Sequence, residues 1–110
     1  MNAIGWNCRG IYNASTVRAL KTEIRARHPE VIFLSKTKAG ELKMQSVVKS
    51  LGFSRHHVVG ARGKRGGICM LWSNAVTAKV REYNTQMIAI RIIEGFGSWA
   101  LIGFYGPPYY

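Results

Sequence analysis

Aspartate is missing from this sequence, and acidic side chains are few. Among the 110 residues there are five acidic groups, all of them glutamates. They are scattered along the chain as Glu23, Glu30, Glu41, Glu82 and Glu94. Binding sites for hard cations and catalytic mechanisms that use two carboxylates both need acids that cluster. The sequence therefore offers little for either kind of chemistry.

Long hydrophobic runs and targeting signals are missing too. No run approaches the roughly 18 consecutive apolar residues that a membrane helix requires. The amino terminus lacks the basic-then-apolar order of a signal peptide, because its first charge is Arg9. We therefore expect an intracellular protein without a membrane partner, in the nucleus or the cytoplasm.

Residues that bind zinc or form disulfides are scarce as well. The two cysteines, Cys8 and Cys69, lie within apolar runs, which is typical of buried, reduced thiols. His56 and His57 are adjacent in a strand-like run, where neighbouring side chains point to opposite faces of a sheet. No zinc-binding spacing is present, so we do not expect these two histidines to share a metal.

Positive charge and apolar residues are what the chain has in quantity. Sixteen Lys and Arg against five acids give a formal net charge of +11, and 47% of the residues are hydrophobic. The length suits one small domain with a buried core. An excess of positive charge favours polyanionic partners, above all nucleic acid. The alternative is a basic surface that keeps the protein soluble by self-repulsion.

The order of periodic segments predicts an α/β fold. We expect a strand over 2–8, a helix capped by Ser15 or Thr16 and running to about 28, a strand over 31–35 and a helix over 40–51. Five strand-like runs follow, over 54–59, 67–73, 76–83, 86–93 and 98–105. In the second helix we expect these apolar residues to face inward: Leu42, Val47, Val48 and Leu51. Helices early and strands later favour one mixed, mostly antiparallel sheet with both helices on one face.

The later strands indicate that this sheet needs cover on both faces. The runs 67–72 and 87–93 are apolar on both sides. Two helices can cover one face only, so the other face is predicted to be bare unless something docks on it. Trp6, Trp72 and Trp99 are expected in the core, because large aromatic side chains stabilise folds chiefly by burial.

Three motifs then carry a resemblance to a known family. WNCRG over 6–10, FLSKTK over 33–38 and GFYGPP over 103–108 resemble the endonuclease/exonuclease/phosphatase superfamily, most closely the endonuclease domain of plant LINE-type retrotransposons. The resemblance implies a four-layer α/β/β/α sandwich made of two similar halves. The chain, residues 1–110, resembles the first half only, as a single truncated domain. The resemblance also implies descent from enzymes that cleave phosphodiesters with Mg²⁺.

The same resemblance assigns roles to three positions. Asn7 matches the polar residue that helps to hold the metal, and Tyr105 matches the catalytic-site tyrosine that approaches the phosphate. Lys36 stands where the family has its metal-binding glutamate. An ammonium group offers no lone pair to Mg²⁺, and it repels a cation by about 1–4 kcal/mol at ~4 Å. We therefore expect an inactive relative that binds no cofactor of its own.

Several basic residues are left as candidates for nonspecific contact with nucleic-acid phosphates: Arg9, Lys36, Lys38, Arg62, Lys64 and Arg65. Each one, taken singly, is also consistent with an ordinary solvated charge. Two alternative functions remain open at this point. One is an active DNA endonuclease completed by a partner chain, and the other is a protein-interaction module that self-associates through the uncovered sheet face.

Overall fold

A computed structural model describes residues 1–63 and 65–105. These residues form helices and strands in the order β1 (Ala3–Asn7), α1 (Ala14–Arg27), β2 (Val31–Ser35), α2 (Glu41–Ser50), β3 (Arg55–Val59), β4 (Ile68–Trp72), β5 (Thr77–Tyr83), β6 (Met87–Glu94) and β7 (Gly97–Phe104). Every element expected from the sequence is present, with ends that differ by a few residues at most.

The first four strands make one sheet in the order β1-β2-β4-β3. β1 runs parallel to β2, whereas β4 lies antiparallel between β2 and β3. Alternate residues of β2 and β4 therefore point to opposite faces. Ile32 and Leu34 of β2 pack in one core cluster with side chains of both helices, such as Leu20 and Met44. The expectation that both helices lie on one face is confirmed.

Two details of the helices differ from the sequence expectations. α1 is capped by Asn13, whose side chain accepts a hydrogen bond of 2.9 Å from the Ser15 N–H, so the expected cap was placed two or three residues late. In α2, Met44, Val47 and Val48 face the core, but Leu42 is 82% exposed. At 100° per residue, Leu42 lies about 200° from Met44 and so falls on the opposite side of the helix.

The last three strands form a separate antiparallel sheet in the order β5-β6-β7. It packs on the face of the first sheet that the helices leave open. Met70 and Trp72 of β4 meet Ile88, Ile90 and Ile92 of β6 in a second core cluster. The expectations of one sheet and of a bare face on it are therefore wrong. Since β4 already pairs on both sides, β5 has no edge of β4 to join and starts a second layer.

The chain thus folds as three layers, with helices, a four-stranded sheet and a three-stranded sheet. This is an α/β fold consistent with half of an α/β sandwich. Gly103 of β7 allows the two sheets to approach closely, because a Cβ atom there would lie 2.2 Å from the Phe33 ring. Trp72 is buried as expected, but Trp99, on the outermost strand β7, is 38% exposed. No helix in the described residues is long and apolar enough to cross a membrane.

Candidate nucleic-acid interface

The carboxyl ends of β1 and β2 lie side by side at one end of the sandwich. Past the strand ends, the Gly10 N–H donates to the Lys36 carbonyl and the Ile11 N–H to the Thr37 carbonyl, each at 2.8 Å. These hydrogen bonds keep the two segments side by side beyond the strands, which end at Asn7 and Ser35. They hold Arg9 beside the segment that contains Lys36 and Lys38.

The loop between β3 and β4 is hydrogen-bonded to the same segment. The Thr37 N–H donates to the Gly67 carbonyl at 3.1 Å, and the Lys38 N–H donates to the Gly66 carbonyl at 2.8 Å. Within the loop, Arg62 and Arg65 each donate a backbone hydrogen bond of 3.0 Å to the other. This loop brings the predicted residues Arg62 and Arg65 to the site. Lys64, also predicted, lies outside the described residues.

The second sheet reaches this end through Tyr105, directly after β7. The Tyr105 N–H donates to the Gln86 carbonyl at 2.6 Å. The Lys36 Nζ lies 5.8 Å from the centre of the Tyr105 ring, within the range of a cation–π contact. We call this end of the sandwich the basic rim, defined by Arg9, Lys36, Lys38, Arg62 and Arg65 together with Tyr105.

The backbone of the basic rim is strained where the cations lie. Arg9, Lys36 and Lys38 have left-handed backbone conformations, with φ of 50°, 50° and 54°. Such conformations cost a residue with a side chain about 1–3 kcal/mol and cluster at functional sites. Between the two lysines, Thr37 is fully buried, and its Oγ1 has no hydrogen-bond partner in the structure. Gly67 covers that hydroxyl, since a Cβ atom on it would lie 2.2 Å from Oγ1.

A groove opens beside the rim between the β3–β4 loop and the turn that joins β5 to β6. Its volume is about 580 Å³, and its lining includes Arg62, Arg65, Thr85 and Gln86. Sequence reasoning did not identify Thr37, Thr85 or Gln86. Two of them belong to a turn that approaches the loop only after the second sheet has packed on the first. The Gly66-Gly67 pair was the one local signal that the loop makes a close backbone contact.

The donor atoms at the rim do not fit Mg²⁺. The Asn7 Oδ1 already accepts a hydrogen bond of 3.2 Å from the Arg9 N–H, and the neighbouring strand end contributes the ammonium group of Lys36. Hard cations are bound by oxygen ligands that include carboxylates. Within residues 1–63 and 65–105, no three His, Cys, Asp or Glu side chains come together.

Positive charge at the rim is not neutralised by acids. Over the described part of the chain there is one ion pair, Glu23 with Arg27 on α1. The rim cations therefore have no carboxylate partner among these residues, and their field extends into solvent.

The cysteines and the paired histidines lie away from this chemistry. Cys8 and Cys69 are buried and not disulfide-bonded, as expected, and burial raises the pKa of each thiol to about 12. His57 belongs to β3, and its ring lies 4.3 Å from that of Tyr83 on β5. Burial lowers the pKa of His57; to a smaller extent Glu41 raises it and His56 lowers it further. His57 links the two sheets at an edge of the sandwich.

The comparisons with known proteins support the fold. No protein-family model and no curated protein matches the sequence. The structure is similar to the crystal structure of an AP endonuclease from Leishmania major, with a TM-score of 0.64 and 16% sequence identity. The match covers 92% of this chain and 38% of that one. The chain therefore has an endonuclease/exonuclease/phosphatase-type fold and spans well under half the length of this neighbour.

Proposed function

We propose that this chain is a catalytically inactive relative of a Mg²⁺-dependent endonuclease, and that its basic rim binds nucleic-acid phosphates without cleaving them. The observation that carries the proposal is Lys36. It lies at the end of β2, beside Arg9 and Lys38, with its Nζ above the Tyr105 ring. A nuclease of this fold needs a metal ligand at that position, and a lysine supplies a phosphate-binding charge in its place.

Hydrolysis is disfavoured by the residues at the rim. Activating water near neutral pH requires a bound metal or a general base. Asn7 contributes an amide that is already hydrogen-bonded, and Tyr105 contributes a phenol. Neither can take a proton from water or hold a cation without carboxylate help. Restored activity would need acids from another polypeptide segment, and Lys36 would still repel the metal.

Phosphate binding is favoured by the same residues. The five rim cations lie on three adjacent segments and have no acidic partner among the described residues. Each phosphate that they neutralise releases a condensed counterion. The logarithm of the binding constant therefore falls by about 0.9 per tenfold rise in salt for each phosphate contact. For three to five contacts we expect a slope of roughly −3 to −4.5. Contacts of this kind carry no base specificity, so we propose nonspecific binding.

A salt titration of binding tests this proposal. We would measure fluorescence anisotropy of labelled single- and double-stranded oligonucleotides with the chain and with Arg9→Gln/Lys36→Gln/Lys38→Gln. The matched control is Arg18→Gln/Lys21→Gln/Arg25→Gln, which removes the same charge from α1. We expect the rim variant to reduce the salt slope by about 2 to 3 and the control to change it by less than about 1. Equal losses from both variants would refute the rim as the binding site.

A plasmid-nicking assay tests the inactivity. Supercoiled DNA would be incubated with Mg²⁺ and either the unmodified chain or Lys36→Glu. We expect no metal-dependent nicking by the unmodified chain, since its rim lacks the ligands. Nicking that survives full purification and is abolished by chelation would overturn the proposal and support an active endonuclease.

The origin of the chain is a separate proposal. The motifs WNCRG and FLSKTK support descent from the endonuclease domain of a plant LINE-type retrotransposon. The genomic reading frame beyond residue 110 tests it. A continuation that resembles the second half of the family's domain would support that descent and would also revive the question of activity.

A further inference from the structure

The outermost strand of the second sheet has an unpaired edge. β7 pairs with β6 alone among the described strands, without a register shift. Its eight residues, GSWALIGF, include no charged residue and no proline. Charges, prolines and bulges are the usual devices that stop edge strands from pairing with other chains. The absence of all of them on β7 contrasts with a net charge of +11 for the whole chain.

The hydrogen-bonding groups at this edge can be assigned. The Tyr105 N–H donates to Gln86 in the direction of β6. Along a strand, successive residues aim their backbone groups alternately to either side. The odd-numbered residues of β7 therefore face β6. The N–H and C=O groups that face away belong to Ser98, Ala100, Ile102 and Phe104.

Side-chain sizes along β7 match those of a second β7 run antiparallel to it. When two copies are related by a two-fold axis at Leu101, Trp99 lies opposite Gly103 of the second copy. On the outer face, Ile102 lies opposite Ala100 and Phe104 opposite Ser98. Trp99, Ile102 and Phe104 each meet a small residue, while Leu101 meets Leu101 of the second copy. An aromatic residue across from glycine is a known stabilising pair in sheets.

We propose that β7 pairs with β7 of a second copy of this chain, about a two-fold axis at Leu101, to form a continuous six-stranded sheet. The unpaired edge groups of Ala100 and Ile102 then meet as a hydrogen-bonded pair, so the backbone pattern allows the register that the size pattern selects. Ile102 and Phe104 are 57% and 67% exposed in the single chain. Neighbouring side chains of the second copy cover part of each. Because the strands run antiparallel, the two basic rims lie at opposite ends of the dimer.

Another register of the same edge is less well matched. With the axis at Ala100, Trp99 lies opposite Leu101, and Gly97 lies opposite Gly103. One cross-strand pair then joins two large side chains, and another joins two glycines. The apolar groove of about 260 Å³ beside Leu101, Gly103 and Phe33 also favours the axis at Leu101. That register places Trp99 of the second copy opposite Gly103 at this groove.

Sedimentation equilibrium on the unmodified chain tests the dimer. We expect the weight-average mass to double with rising protein concentration and the association to strengthen with salt, since salt screens the repulsion between two copies of +11. Ile102→Lys should remain monomeric. The matched control Thr77→Lys adds the same charge to β5, at the other edge of the sheet, and should still dimerise. A single-chain mass at every concentration, or equal effects of the two variants, overturns the proposal.

Cysteine cross-linking tests the register. Leu101 of the two copies forms a pair that is not hydrogen-bonded, with Cα atoms about 4.5 Å apart, within the range of a disulfide. We expect Leu101→Cys to form a covalent dimer under mild oxidation and Ala100→Cys not to do so. Native Cys8 and Cys69 are buried and do not interfere. Cross-linking through Ala100→Cys instead would overturn the assigned register. We expect Ile102→Lys to bind nucleic acid as a monomer, which would show that the dimer and the binding function of the rim are independent.

Discussion

The first sheet of this protein is covered on both faces, by the helices on one side and by the second sheet on the other. Among the described residues the second sheet is covered on one face only, and its outer face exposes Ile102 and Phe104. The difference separates two roles. The first sheet is buried on both faces and positions the strand ends that form part of the basic rim. The second sheet closes the core with one face, and its outer face and the edge of β7 are where we propose association.

Truncation of side chains in the two sheets should give the largest contrast. Leu34 is fully buried between the helices and the first sheet, whereas Ile102 is 57% exposed on the second. We expect Leu34→Ala to lower the free energy of unfolding by about 2–5 kcal/mol. For Ile102→Ala we expect a change within about 0.5 kcal/mol. Urea denaturation at low protein concentration, which keeps association out of the comparison, measures both. Similar losses from the two variants would contradict the division of roles.

The sequence predicted the helices and strands better than their arrangement in layers. Helices, strands and the position of Lys36 at a strand end follow from local periodicity and from a short motif. The insertion of β4 between β2 and β3 does not follow from the sequence. A strand has the same pattern of apolar residues whether it pairs within the first sheet or belongs to a second sheet packed on it. For that reason the second sheet was not anticipated. The contact between Thr37 and Gly67 was missed for a similar reason, since it joins segments thirty residues apart.

Gly67 offers the next test, at the junction of the rim with the first sheet. Its φ is 89°, and an added Cβ atom would lie 2.2 Å from the Thr37 Oγ1. We expect Gly67→Ala to lower the free energy of unfolding by about 1–3 kcal/mol through backbone strain and overlap. Gly97→Ala, where nothing lies within 4 Å of an added Cβ, is the control. Adding Thr37→Ala should recover part of the loss, and the absence of any recovery would argue against the overlap as a cause.

The buried thiols provide a pH test confined to the first sheet and its surroundings. Burial raises the pKa of Cys8 and Cys69 from 9.0 to about 12. Above pH 9 the unfolded chain loses these protons while the folded chain keeps them, so stability falls as pH rises toward 12. The expected loss is about 1.4 kcal/mol per pH unit for each thiol. Denaturation at several alkaline pH values measures the slope, and Cys69→Ala should reduce it. Rapid thiol labelling of the folded chain at neutral pH would contradict the burial.

The smallest expected effect concerns the contact between the two sheets at His57. Its ring lies 4.3 Å from that of Tyr83, and burial lowers its pKa from 6.5. Below pH 6.5 the unfolded chain takes up a proton more readily than the folded chain does. The stability contributed by neutral His57 is therefore present above pH 6.5 and is lost as pH falls through the lowered pKa. Glu41, which raises this pKa, and His56, which lowers it, are the charged groups that act on His57. The half-exposed position keeps the effect small.

Replacing the ring separates this contact from general acid denaturation. His57→Phe keeps an aromatic ring against Tyr83 and removes the titration, so its stability should decline less than that of the unmodified chain as the solution becomes mildly acidic. His56→Gln is the matched control and should retain most of the decline, since burial of His57 is the larger cause. Chemical denaturation at neutral and mildly acidic pH gives the comparison. If His57→Phe and the unmodified chain decline in parallel, protonation of His57 does not weaken the contact between the sheets, and the acid sensitivity arises elsewhere.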